Sequence, residues 1–212
     1  MNSKTVGILD YGAGNFGSVR RALQALSVEP VPVARPADVQ SVDQLIFPGV
    51  GSAGQAMSEL RSRGLDEAIV RFAQSGRPLL GICVGMQVLG KFSAEGGAQC
   101  LGLLPYRIDQ FTCSDPVPHM GWNSLQWNDS HPNAEFAKEN LAPQANLYFV
   151  HSYAAFLDEH NSSANFLLAS CEYGRQTFAA LVAHDNIWGA QCHVEKSGRA
   201  GLEFIKNFLR QR

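Results

Sequence analysis

The sequence predicts an α/β fold: a central, mostly parallel sheet flanked by helices, with an additional, partly antiparallel region in its second half. Three observations lead there. Short apolar runs of strand length alternate with stretches of helical period over the first 92 residues. The runs end at Gly or Pro, where a chain leaves a buried sheet. The second half then strings strand-like runs together with too little chain between them for helices.

Residues 5–10 (TVGILD) form a buried strand that ends in a Gly-rich turn, and residues 18–26 (SVRRALQAL) follow with helical spacing. Residues 31–34 and 45–47 are two further strands, the second stopped by Pro48-Gly49. Residues 53–74 alternate apolar and charged positions at helical period, with Gly64 as a break. Residues 78–83 (PLLGIC) are another buried strand and 84–92 another helix. This β-α-β order favours parallel strands with right-handed crossovers. From 103 to 146 the chain is rich in Pro, Asn and Asp and reads as loops with short strands. Strands are expected over 147–153, 166–173, 178–184 and 187–192. Residues 198–212 close the chain as an amphipathic helix with Leu202, Ile205, Phe208 and Leu209 inward.

A chain of 212 residues suits one domain, expected to span 1–212. Its 17 basic residues against 19 acidic ones leave no surplus to neutralise a phosphate backbone, which argues against a nucleic-acid partner. No apolar run approaches the ~20 residues of a membrane helix, and the N-terminus meets Gly and Asp too early for a signal peptide. Five cysteines without a CxxC pair suit a reducing compartment, so a cytoplasmic location without disulfides or metal is expected.

Chemistry concentrates at Gly81-Ile82-Cys83-Val84-Gly85. A strand running into G-x-C-x-G and straight into a helix is the nucleophile-elbow pattern with Cys in place of Ser. The turn brings the flanking positions so close that both must be Gly. It leaves the nucleophile exposed at the strand's carboxyl end, beside a helix N-terminus that favours a thiolate. In isolation Cys83 would be better explained as a small buried hydrophobe; strand, glycine pair and helix in this order turn the reading towards a nucleophile. A base and an orienter for it stand in His193-Val194-Glu195, where an extended segment would turn residues i and i+2 to one side. His151, within YFVHSY, is a second candidate base, although its apolar neighbours equally suit a structural histidine. Gly49-Val50-Gly51 follows a strand that a parallel sheet would set near the elbow, and with Val84 could supply oxyanion N–H groups. Gly12-x-Gly14-x-x-Gly17 matches the dinucleotide fingerprint in context, with Arg35 rather than an acid after the second strand. That NAD(P)-binding alternative leaves Cys83, His193 and Glu195 without a task.

Taken together, Asp10-Tyr11-Gly12-Ala13-Gly14-Asn15, Pro48-Gly49-Val50-Gly51, residues 81–87, Pro118-His119-Met120-Gly121-Trp122-Asn123, residues 148–153 and Glu195-Lys196-Ser197 resemble the triad class of glutamine amidotransferases. Within that class they are similar to the glutaminase subunits of imidazole glycerol phosphate synthase. The resemblance implies a flavodoxin-like class I amidotransferase fold and a Cys83–His193–Glu195 triad that hydrolyses L-glutamine to glutamate and ammonia. It implies Gln87, Glu95, Ser152 and Tyr153 as glutamine contacts, and no cofactor. Asn15, Met120, Trp122 and Lys196 would face a (β/α)₈ cyclase subunit that receives the ammonia in histidine biosynthesis. A paralogue serving surface-sugar amidation would carry the same glutaminase half, and a subunit that docks without hydrolysing would keep the same face. The chain departs from the family pattern at Val194, where the family has Pro, at Cys192 for Phe, and at Val84 for Leu. Tyr106-Arg107 stands where a glycine is common, an expected difference in a surface loop.

Overall fold

The computed structural model describes residues 4–12, 14–157 and 164–211. The first half alternates as predicted: β1 (Val6–Leu9), α1 (Phe16–Ala25), β2 (Val31–Val33), α2 (Pro36–Gln40), β3 (Gln44–Gly49), α3 (Ala53–Ser62), α4 (Leu65–Gln74), β4 (Leu79–Cys83) and α5 (Val84–Leu89). The second half holds β5 (Phe92–Ser93), β6 (Ala98–Gln99), β7 (Arg107–Gln110), β8 (His119–Ser124), β9 (Gln126–Trp127), α6 (Ala134–Ala137), β10 (Asn146–His151) and β11 (Tyr153–Ala154). It ends with β12 (Leu167–Tyr173), β13 (Gln176–His184), β14 (Ile187–Ala190) and α7 (Gly198–Leu209).

Eight strands form the main sheet in the order β2-β1-β3-β4-β14-β13-β12-β9. The run from β2 to β14 is parallel, and β13, β12 and β9 add antiparallel strands. Every residue of β1, β3, β4 and β14 is buried. Such strands are covered on both faces, which is why they read as unbroken apolar runs. β4 lies between β3 and β14, so the carboxyl ends of three neighbouring parallel strands open together. That is where α/β sheets hold their ligands.

Several expectations need correction. The short helix α2 was not anticipated; Pro36 starts it, and Asp38 accepts from the Arg35 backbone while its carboxylate pairs with the Arg35 guanidinium at 2.8 Å. The helix expected to reach residue 92 stops before Gly90, because Phe92 and Ser93 pair with β6 and β7. The strand expected over 147–153 is two. β10 pairs with β8, β11 pairs with β7, and Ser152 is the corner between the sheets. On α7 the fully buried stripe is Phe204, Ile205, Asn207 and Phe208, with Leu202 and Leu209 on its half-buried flanks. Gly64 does separate two helices, at φ +65°.

Tyr106 is the largest correction. It is no surface-loop residue but is completely buried, with its O–H donating 2.6 Å to the Met86 carbonyl of α5 and its ring against Phe166. Gly90 is needed there, since a Cβ would stand 2.6 Å from the Tyr106 ring. Tyr106 thus clamps the helix that follows Cys83. Tyr106→Phe is expected to cost about 1 kcal/mol for the lost hydrogen bond, and Tyr106→Ala about 3–5 kcal/mol for the cavity. Urea unfolding checks both; an Ala variant unfolding at the native midpoint would return Tyr106 to the surface.

Candidate active site

Cys83 ends β4 and caps α5 with φ 54° and ψ −113°, a backbone conformation that a side chain rarely adopts. The surrounding glycines hold it there. A Cβ on Gly81 would lie 2.7 Å from the Gly85 carbonyl, and one on Gly85 1.9 Å from the Phe47 carbonyl of β3. A Cβ on Gly49 would meet the Gly85 nitrogen at 2.4 Å. Elbow and third strand therefore touch backbone to backbone, as the G-x-C-x-G spacing requires. The register sets Gly49 opposite Cys83, which brings Val50, Gly51 and the first amide of α5, that of Val84, around the sulfur. A helix's first-turn N–H groups have no acceptor within the helix.

The candidate base arrives from the other side. β14 runs parallel to β4, and His193 follows it and lines the same cavity as Cys83. The His193 Nδ1 lies 2.8 Å from Glu195 Oε1, with both side chains buried. The segment is not extended, however. Residues Val194–Lys196 form a 3-10 turn, in which the Lys196 N–H donates to the His193 carbonyl at 2.9 Å. The turn does what extension was expected to do. Val194 fits it without strain: its side chain is fully buried and its N–H donates to the Cys192 carbonyl at 3.1 Å, a bond that proline could not make. Cys192 is buried in the core. Ser197 Oγ donates to the His193 carbonyl and accepts from the Tyr148 N–H, which ties the base to β10.

Burial alone would lower the His193 pKa. Hydrogen bonds to the Cys83 sulfur and the Glu195 carboxylate outweigh it and push the pKa up to about 10. The imidazole is therefore held charged between two acceptors. Tyr11 lies near enough for Cys83 to help burial raise its phenol well above the usual range, and its buried O–H has no hydrogen-bond partner among the described residues.

A cavity of about 230 Å³ opens on these groups, a size suited to one amino acid. Cys83, His193, Val50, Gly51, Val84, Gln87, Glu95, His151, Ser152 and Tyr153, all singled out from the sequence, line it, joined by Val150. Glu95 also accepts from the Ala53 N–H at 3.0 Å. His151 is not placed as a base: its Nδ1 is 2.9 Å from the Tyr153 carbonyl, and burial lowers its pKa to about 3. Met120 and Trp122 project from β8 as the most exposed large apolar side chains among the described residues, 62% and 58% accessible, and Lys196 is exposed next to Glu195. Asn15 sits deeper than a docking residue need be. Its amide donates to Glu195 Oε1 at 3.0 Å, so Asn15 is engaged with the carboxylate that meets His193. Among the described residues no three His, Cys, Asp or Glu side chains gather as a metal site, and no helix is long and apolar enough to cross a membrane.

Sequence reasoning missed Gln191. Fully buried, it places its Nε2 3.8 Å from Cys83 Sγ and accepts from Gln87 Nε2 at 3.1 Å. Its place two residues before the base was the available signal.

The His193 shift has a consequence for stability. The folded chain holds this proton up to about pH 10, the unfolded chain only to the ordinary 6.5. The stabilisation is fully present below pH 6.5 and is lost as pH rises through 10. His193→Gln is expected to cost most stability below pH 6.5 and progressively less towards pH 10, read as urea midpoints across that window. A cost independent of pH would contradict it.

The class-I glutamine amidotransferase family model matches residues 7–212. The imidazole glycerol phosphate synthase subunit HisH of Desulfovibrio desulfuricans is 45% identical over 209 residues, covering 95% of this chain and 92% of that protein. The HisH subunit of Desulfitobacterium hafniense is 41% identical over 204 residues, covering 96% and 92%. Among solved structures, a glutamine amidotransferase crystal structure superposes with a TM-score of 0.73 at 20% identity, covering 96% of this chain and 98% of that one. The Thermotoga maritima PurLQS structure gives 0.71 at 16% identity, covering 98% of each chain, and at this identity both speak for the fold alone. The chain belongs to the class-I glutamine amidotransferase family and, within it, to the family of HisH subunits.

Proposed function

We propose that residues 1–212 form one glutaminase domain that hydrolyses L-glutamine and delivers the ammonia to a (β/α)₈ cyclase subunit of imidazole glycerol phosphate synthase. The observation that carries the reading is a cysteine held at φ 54° at the mouth of an amino-acid-sized cavity that it shares with a histidine whose Nδ1 is 2.8 Å from a buried carboxylate.

Cys83 Sγ adds to the side-chain amide carbon of glutamine, and the carbonyl π-electrons move onto oxygen. N–H groups of Gly49, Val50, Gly51 and Val84 stabilise that oxyanion. The intermediate collapses, the C–N bond breaks, and His193 delivers its proton so that ammonia leaves. A glutamyl thioester remains on Cys83. His193, now neutral, takes a proton from water as the water attacks the thioester; the C–S bond breaks and glutamate departs. Glu195 keeps the imidazole oriented and balances its charge, and Asn15 fixes Glu195. Gln87, Glu95, Ser152 and Tyr153 hold the amino-acid end of the substrate.

Met120 and Trp122, with Lys196 also exposed, suit a docking face for the cyclase, since exposed aromatic and Met side chains anchor interfaces. Ammonia passed across that face reaches the cyclase without meeting water, where it joins the nucleotide intermediate to give imidazole glycerol phosphate and aminoimidazole carboxamide ribotide. Cytoplasmic histidine biosynthesis is the setting this reading requires.

The test is glutamate release from glutamine by the chain mixed with the cyclase subunit and its nucleotide ligand. Release stimulated by the partner and lost by about 10⁴-fold in Cys83→Ala is expected. A complex that forms but releases glutamate equally well with Cys83→Ala would overturn the triad. A chain that forms no complex would overturn the partner.

A further inference from the structure

Two histidines buried between the docking strand and the cavity have no part in the chemistry above. His119 on β8 and His151 on β10 stand opposite each other in the antiparallel ribbon, and His119 Nδ1 is 3.1 Å from His151 Nε2. Their protons can be placed. The Tyr153 carbonyl, 2.9 Å from His151 Nδ1, can only accept, so the His151 proton is on Nδ1. His151 Nε2 is then an acceptor, and His119 Nδ1 must donate to it. His119 Nε2 is left to accept from the Asn123 amide at 3.5 Å. Both rings are neutral in this arrangement, in keeping with burial that lowers their pKa values to about 4 and about 3.

The chain of bonds does not stop at Tyr153. The same carbonyl accepts from Gln87 Nε2 at 3.0 Å, Gln87 also donates to Gln191, and Gln191 reaches Cys83 Sγ. Ser152, between the two histidine-bound ends, is the corner where the chain leaves one sheet for another. The Phe111 N–H fastens the near side of that corner, donating to the Ser152 carbonyl at 3.0 Å. His151 holds its far side by the Tyr153 carbonyl, and His119 holds His151. On the opposite face of β8, the neighbours of His119 are Met120 and Trp122.

We propose that His119 is a positioning residue for the glutamine pocket, acting through His151 to fix the Ser152–Tyr153 corner that receives the substrate. Removing its N–H leaves His151 Nε2 buried without a donor, and the ring must tilt or admit water, which loosens its hold on Tyr153. The effect falls on glutamine binding rather than on the chemical step, because Cys83, His193 and Glu195 are held by other bonds. The proposal rests on the glutaminase reading.

The ring also has a packing role, sandwiched between Phe149 and Tyr173 at centroid distances of 5.0 and 4.1 Å. Two substitutions separate the roles. His119→Phe keeps an aromatic ring and removes the donor; His119→Asn removes the ring and keeps an amide N–H near the Nδ1 position. In the complex with the cyclase subunit, His119→Phe is expected to raise KM for glutamine about tenfold with kcat within about twofold, the scale of one lost buried hydrogen bond. His119→Asn should keep KM within about twofold of native. KM does not depend on how much of the sample is folded, so a partial stability loss leaves this readout intact. If His119→Phe gives no folded protein, His119→Met, which also lacks a donor, is read in the same way. A native KM in the donor-less variant, or a KM in His119→Asn raised as far as in His119→Phe, would overturn the proposal. Failure of the unsubstituted chain to release glutamate would overturn instead the glutaminase reading beneath it.

Discussion

The backbone of Cys83 is the constraint on which the rest of the structure depends. A non-glycine residue at positive φ is stable only where its surroundings leave no alternative, and here the alternatives are blocked by close backbone contact. Gly81, Gly85 and Gly49 permit it, since a methyl group on any of them would overlap main-chain atoms. Because β3 touches the elbow directly, the Gly49–Gly51 segment comes beside the sulfur. Because β14 is the parallel neighbour on the other side, His193 does too. Sheet order, glycine positions and the catalytic arrangement are thus one set of requirements.

A second layer keeps that arrangement in register. Tyr106 holds the helix after Cys83, Ser197 fastens the base to β10, and Asn15 fastens the orienting carboxylate to the first loop. All but the bond from Ser197 to the His193 carbonyl join residues 20 to 180 positions apart in the chain. They explain how a histidine largely withdrawn from water stays charged: the two acceptors beside it are themselves held in place, so the attraction needs little reorganisation.

What could be read from the sequence follows the same division. The elbow, the apolar strands and the H-x-E pair were legible because local geometry dictates them. G-x-C-x-G has few physical solutions, and strands buried on both faces must be apolar throughout. The dinucleotide-like Gly12–Gly17 loop was legible as a turn but not in its role, since Glu195 meets Asn15 only after folding. Gln191, the His119–His151 pair and the burial of Tyr106 escaped because each depends on a partner remote in sequence. The His193–Glu195 contact was foreseen with the wrong backbone: a 3-10 turn and an extended segment can both turn i and i+2 to a common target, and only the bond from Lys196 to the His193 carbonyl decides between them.

The central claim is that the fold makes one of five cysteines a nucleophile towards glutamine. The most direct measurement is peptide mapping by mass spectrometry after the complex with the cyclase subunit is treated with a glutamine-shaped chloroketone. The account predicts a single adduct, on Cys83, with glutamine protecting against it and His193→Ala slowing it by orders of magnitude. Labelling of Cys100, Cys113, Cys171 or Cys192 at a comparable rate, or a Cys83 adduct formed as fast without His193, would contradict it.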